Sequence, residues 1–212
     1  ARTIAVLTGV YSNIYNNFNP HRWSGTGSFM DATDETDPRY TGGNLVPIVM
    51  SLGTFTAAYA EVLTERDAFS FTVAYRRIRS ANLYLSKVDG SPLSAGLKIR
   101  TKAEARFLRA WYYAMLLKAH GGVQLLGDVV FGLDDDINIP RSTYQECVDY
   151  IVKECDEAAL DLPLSYSGLD YGRVTKGACL ALKARVLLYA ASPLFNGGSV
   201  ATDAKLKELT SY

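Results

Sequence analysis

The stretch "TKAEARFLRAWYYAMLLKAHGG", Thr101 to Gly122, decides the fold. Phe107, Leu108, Trp111, Tyr112, Met115, Leu116 and Ala119 recur at spacings of three and four, which places them along one stripe of a helix. Thr101 followed by Glu104 has the form of a capping box and predicts the helix start there. Gly121 supplies the matching stop. A stripe of aromatic and aliphatic residues at this spacing packs a core, so the stretch is read as a buried helix rather than as a stacking surface for a ligand. Arg106 and Arg109 fall off the main stripe and are expected to form structural ion pairs.

The same grammar recurs on both sides. Ser142 with Gln145, or Thr143 with Glu146, caps a helix lined by Tyr144, Val148, Ile151, Cys155, Ala158 and Leu162 and closed by Pro163. A further helix opens at Thr175 and ends before Pro193. Its Ala178, Ala181, Ala184, Leu187, Leu188 and Ala191 offer a small-residue face for close approach of a neighbour. Upstream, Ala74, Ile78, Ala81, Leu85 and Val88 mark another helix, and Ile4, Leu7, Tyr11 and Ile14 one at the start. No strand alternation stands out, and "NLVPIVM" is interrupted by Pro47. The class is all-α, with helix starts spaced unevenly around the about 34-residue period of helical-hairpin repeats.

Composition narrows the function. The 212 residues are 48% hydrophobic, and Lys+Arg and Asp+Glu balance at 22 each. Without a basic surface, nucleic acid is not an expected partner. No apolar run reaches the ~18–20 residues that cross a bilayer. Cys147, Cys155 and Cys179 sit inside apolar helical patterns and read as buried, inert thiols. His21 and His120 have no nucleophile or carboxylate beside them in a recognisable motif, and "GTGSFM" lacks the strand and spacing of a phosphate loop. No enzyme activity and no cofactor are expected. Asp31, Asp34, Glu35 and Asp37 cluster, but not in the spacing that wraps oxygens around calcium, so no metal is assigned.

Several ordered motifs carry a family resemblance: "VYSNIYN", "DATDE" at Asp31 to Glu35, "AYRRIRSANLYLSKV" from Ala74, "AEARFLRAWYYAMLLKAHGGVQLL" from Ala103, "IPRSTYQECVDYIVKECDEAALDLP" from Ile139 and "GRVTKGACLALKARVLLYAASPLFNGG" from Gly172. Together the chain resembles the SusD/RagB family, surface glycan-binding lipoproteins of Bacteroidetes nutrient-uptake systems. The resemblance implies tetratricopeptide-like helical hairpins carrying long irregular loop insertions. It implies that residues 1–212 are the amino-terminal part of a longer protein, anchored to the outer membrane through an amino-terminal lipidated cysteine that precedes this chain. It further implies non-enzymatic capture of an oligosaccharide or polysaccharide and its delivery to a SusC-like TonB-dependent transporter. Asn82, within "IRSAN", is expected to be a buried amide bonded to backbone.

Glycan capture needs flat aromatic faces for sugar C–H surfaces and polar groups for hydroxyls. The polar and aromatic segment "NNFNPHRWSGTGSFMDATDETDPRYTGGN" has both, and is too long for a simple connector. Trp23 and Tyr40 are the candidate stacking surfaces, and Arg39 and Asn44 the hydroxyl partners. Tyr166 and Tyr171, beside "SGLD", are weaker options. The rival reading is a helical-repeat adaptor that binds a protein or peptide partner in its groove. Such an adaptor would keep short turns between its helices, whereas this chain inserts a long aromatic loop.

Overall fold

The computed structural model describes residues 2–12, 14, 52–54, 56 and 70–196. Contacts divide the chain into Asn13–Val73 and a compact unit formed by Ala1–Ser12 with Ala74–Tyr212. Five helices longer than one turn are described, with no strand among the described residues: α1 (Arg2–Tyr11), α2 (Phe71–Lys87), α3 (Ala95–His120), α4 (Tyr144–Asp161) and α5 (Lys176–Ala190). None of the described helices is long and apolar enough to cross a membrane.

The hairpins are set by side chains that fix register. Asn82 on α2 meets Arg109 on α3, while Asp89 just beyond α2 meets Lys102, so α2 and α3 run antiparallel. Arg106 reaches Glu157 and Arg109 reaches Glu154, which makes α3 and α4 antiparallel as well. The pair Lys183 with Asp156, and the bond from Lys176 N–H to Pro163 C=O, do the same for α4 and α5. The described residues therefore adopt the sequence-predicted all-α hairpin architecture, with a long irregular connection between α3 and α4.

The central helix is α3. Its buried residues face every direction, from Ala103, Phe107 and Leu108 to Ala110, Tyr113 and Leu117. Helices of one-sided apolar pattern pack around it: Ala74, Ile78 and Ala81 of α2, Cys147, Val148, Ile151, Cys155 and Ala158 of α4, and Leu7 and Val10 of α1. The Tyr112 hydroxyl donates to the free carbonyl of Val10 near the end of α1, at 2.6 Å.

Two expectations need correction. Thr101 does not start α3: Ser94 is the N-cap, accepting from Leu97 N–H, and Thr101 lies buried about two turns further on, with its hydroxyl donating to Leu97 C=O at 2.6 Å. Glu104 is accordingly free of the cap and turned inward. The second correction is on α5, where the buried face is Cys179, Leu182 and Val186, while Ala181, Ala184, Leu187 and Leu188 of the small-residue face are exposed. Other signals hold. Thr143 and Glu146 form the reciprocal capping box of α4, Thr175 caps α5, and Gly121 ends α3 at φ 71° with its N–H on Leu117 C=O. Arg141 reinforces that end by donating to the carbonyls of His120 and Gly122, where the helix carries partial negative charge.

Candidate functional site

Trp23, Arg39, Tyr40 and Asn44, together with His21 and the Asp31–Asp37 cluster, lie outside the described residues. The geometry that can be read is that of the frame, and it consists of two polar knots that hold long connections against the helices.

The first knot centres on Arg109, which is buried on α3. Its Nε and Nη2 donate to Glu154 Oε2 at 3.0 and 2.6 Å, and its Nη1 is shared among Asn82 Oδ1, Asp128 Oδ1 and Gly127 C=O. Arg106 adds a bond to Glu154 Oε1 at 3.1 Å. Burial pushes the Glu154 carboxyl up from the usual carboxylate range, opposed by Arg109 and then Arg106. The Arg109 hydrogen bond holds Asp128 below its usual value, with burial acting the other way.

Asn82 completes the knot as the sequence suggested. Its amide nitrogen donates to Gly127 C=O at 2.9 Å and Val129 C=O at 2.8 Å. Gly127 has φ +56°, a left-handed conformation that glycine adopts without strain and that turns its carbonyl toward both donors. The connection is pinned along its length: Tyr75 Oη donates to Gln124 C=O, Leu126 N–H donates to Tyr113 Oη, and Arg79 donates to Phe131 C=O. Edge-on packing of Tyr75 and Tyr150 against Tyr113 backs this side.

The second knot centres on Glu104, whose side chain is wholly buried. Its Oε2 accepts from Tyr11 Oη at 2.6 Å and Arg173 Nη1 at 2.9 Å. Asp170 bridges Arg173 and Arg100 at 2.7 and 2.9 Å, and these two bonds hold its carboxyl below the usual range. Val174 N–H donates to Tyr11 Oη, so the end of α1, the middle of α3 and the approach to α5 share one network. Burial, then the charge and hydrogen bond of Glu104, raise the Tyr11 phenol.

The chemistry on offer here is positional. Glu104 and Glu154 are each engaged by two arginines, and no group of three metal-binding side chains occurs among the described residues. The three cysteines are free and buried, as expected; burial pushes Cys155 up to about 12, with nearby Cys179 adding to the rise, and Cys179 up to about 11. Of the weaker binding options, Tyr171 stands 84% exposed, whereas Tyr166 is half-buried under the Arg100 guanidinium at 5.4 Å. Of these two, Tyr171 presents the open ring.

Sequence reasoning identified Arg106, Arg109 and Asn82 but not Glu104, Asp128 or Arg173. Glu104 was hidden by its fit to a capping box. Asp128 and Arg173 sit in connections, where no periodicity marks them.

Grooves also lie among the described residues. One, of about 210 Å³, is walled by Leu117, Lys118, Tyr144, Leu182, Tyr189 and Phe195, with Tyr144 and Phe195 stacked at 4.0 Å. The other, of about 320 Å³, runs between α1 and α2 along Val6, Leu83 and Val88.

Comparison with known proteins places this frame. Residues 32–188 match the model of a SusD-like family described as "Starch-binding associating with outer membrane". The SusD-like protein P38 of Formosa agariphila is 30% identical over 115 residues, which is 54% of this chain and 22% of that protein. A SusD-like carbohydrate binding protein of Bacteroides fragilis superposes with a TM-score of 0.67 at 27% identity, over 92% of this chain and 38% of that one. Another SusD-like protein of Bacteroides fragilis gives 0.64 at 26% identity, over 98% of this chain and 38% of its own. The chain thus spans well under half the length of these relatives. With the family model covering most of its residues and the same helical frame recurring in solved members, the chain belongs to the SusD-like family.

Proposed function

We propose that this chain is the amino-terminal, scaffold-bearing portion of a protein that captures an oligosaccharide or polysaccharide at the outer membrane without chemically altering it. The observation that carries the reading is the match of residues 32–188 to a family model whose description names starch binding and the outer membrane. The solved SusD-like carbohydrate binding protein of Bacteroides fragilis, 27% identical to this chain, supports it.

The frame suits such a role. Buried arginine–carboxylate knots hold long connections rigidly, and rigid loops on a fixed scaffold bind with less ordering cost. On this reading Trp23 and Tyr40 supply the sugar-stacking faces and Arg39 and Asn44 the hydroxyl partners. The captured glycan passes to a SusC-like TonB-dependent transporter, and the protein is held at the membrane by an amino-terminal lipid anchor.

A glycan array probed with the full-length protein tests the proposal. Retention of one class of polysaccharide, with no change in its chain length after incubation, is expected. Binding to no glycan, together with tight binding of a peptide library, would replace it with the adaptor reading.

A further inference from the structure

The surface made by α1 and α2 is charged in one sense only. The two helices carry Arg2, Arg76, Arg77, Arg79 and Lys87 and no acidic residue, in a chain whose charges balance at 22 of each sign. Arg77 turns toward α1 and donates to Gly9 C=O at 2.8 Å; the other four are exposed. Arg76, Arg79, Leu83 and Lys87 follow one another at spacings of three and four, so they form one outward ridge of α2. Across the groove of about 320 Å³, Arg2 and Val6 of α1 face that ridge. Asp89, the acid that follows α2, is committed to Lys102 at 2.6 Å.

The opposite charge lies on the flank of α2 turned away from α1. There the connection between α3 and α4 is held by Asn82 on the Gly127 and Val129 carbonyls and by Arg79 on Phe131 C=O at 3.1 Å. It runs on into Leu133, Asp134, Asp135, Asp136 and Ile137, all exposed. Asp134 is three residues past the Phe131 anchor, so chain geometry keeps it within about 11 Å of that point. Asp135 and Asp136 accept from the backbone N–H groups of Gly132 and Asn138 inside the connection. Among the described residues no ion pair engages these three carboxylates, nor Arg2, Arg76 or Lys87.

Cations on one side and carboxylates on the other therefore flank the exposed apolar side chains of Val6, Leu83, Val129 and Leu133. An acidic partner would satisfy the cations and be repelled by the carboxylates, and a basic partner the reverse. A second copy of the same surface, turned by a half rotation, satisfies both at once, because each contact across a two-fold axis is made twice.

We propose that this chain pairs with a second copy of itself through this face, about a two-fold axis. Leu133 of each copy enters the α1–α2 groove of the other, and Asp134 to Asp136 lie against the other's Arg2, Arg76 and Lys87. The pairing is independent of the glycan that is captured.

Sedimentation equilibrium of the full-length protein, at about 1 to 100 μM and in about 50 and 500 mM salt, tests this. The wild type should pass from the monomer to the dimer mass as concentration rises, and the higher salt should weaken the pairing about tenfold or more. Arg76→Glu with Lys87→Glu, and Asp134→Lys with Asp136→Lys, should each weaken it about tenfold or more, since each sets like charges together at both halves of the face. All four positions are exposed, and an unchanged far-ultraviolet helical signal shows that the variants fold. Mixed in equal amounts, the two variants should recover a dimer as tight as that of the wild type, because every contact then joins opposite charges. A wild type that stays monomeric, masses that climb past the dimer, dimers indifferent to both reversals, or no recovery on mixing would each overturn the proposal. Should a reversed variant fail to fold, Leu133→Asn leaves the charges alone and should weaken the dimer about tenfold, and an unaffected dimer would overturn the proposal.

Discussion

Arg109 of α3 and Glu154 of α4 meet with two guanidinium nitrogens on one carboxylate oxygen, at 3.0 and 2.6 Å, and both side chains are at least 95% buried. A charge pair this deep is not a large net source of stability, because desolvation offsets much of its attraction. Breaking it is another matter. Glu154→Ala leaves the Arg109 guanidinium buried with Asp128 as its remaining carboxylate, and should cost about 3–5 kcal/mol by urea denaturation. A loss below about 1 kcal/mol would mean that water reaches this site.

Asn82→Ala removes the two donors held by the Gly127 and Val129 carbonyls and one acceptor of Arg109. The expected loss is about 2–4 kcal/mol. Amide exchange in the Gly127–Phe131 segment should quicken more than in α5. Uniform acceleration across the chain would show that Asn82 serves the whole core rather than this connection.

The true start of α3 separates two threonine and serine positions that look alike in sequence. Ser94→Ala removes the N-cap and should cost about 1 kcal/mol. Thr101→Val keeps the buried shape and deletes only a hydroxyl bonded to a carbonyl already inside the helix, so it should cost less than about 1 kcal/mol. Thermal midpoints of the two variants in the reverse order would return the helix start to Thr101.

Stability should fall at both ends of the pH scale, for different groups. Asp170, held down by its bonds to Arg100 and Arg173, and Asp128, held down by Arg109, stabilise the fold above the unfolded carboxylate value of about 4. That contribution disappears as the pH falls through their lower folded values. Glu154 runs the other way: its folded value is raised by burial, so its contribution is present at low pH and is lost as the pH rises through that value. Asp170→Asn should therefore flatten the acid limb of a plot of urea midpoint against pH. At the alkaline end, burial pushes Tyr113 up to about 12, so stability should drop as the pH rises from about 10 toward 12. An unchanged acid limb in Asp170→Asn would remove that residue from the account.

Most of the frame was legible because the helices of the hairpins bury periodic apolar faces, and periodicity is what a single sequence records best. The failures share a cause. The Thr101–Glu104 pair has the form of a capping box, yet the same residue types serve equally as an interior hydroxyl bonded to a carbonyl four residues back and a buried carboxylate between arginines. The real cap, Ser94, has Leu97 rather than Glu or Gln at the third position and so carries no box. Helix α5 is apolar nearly all round, so periodicity could not choose between its Cys179–Leu182–Val186 face and its alanine face. Glu104 meets Arg173 across 69 residues of sequence and Asp128 meets Arg109 across 19, and no local signal announces such pairs.

Affinity electrophoresis of the full-length protein in gels containing the polysaccharide retained on the array, comparing wild type with Trp23→Ala plus Tyr40→Ala, measures the central claim most directly. Loss of two stacking faces should weaken retardation by about tenfold or more in affinity, with the far-ultraviolet helical signal unchanged. Equal retardation of the two proteins would contradict the assignment of sugar capture to this segment.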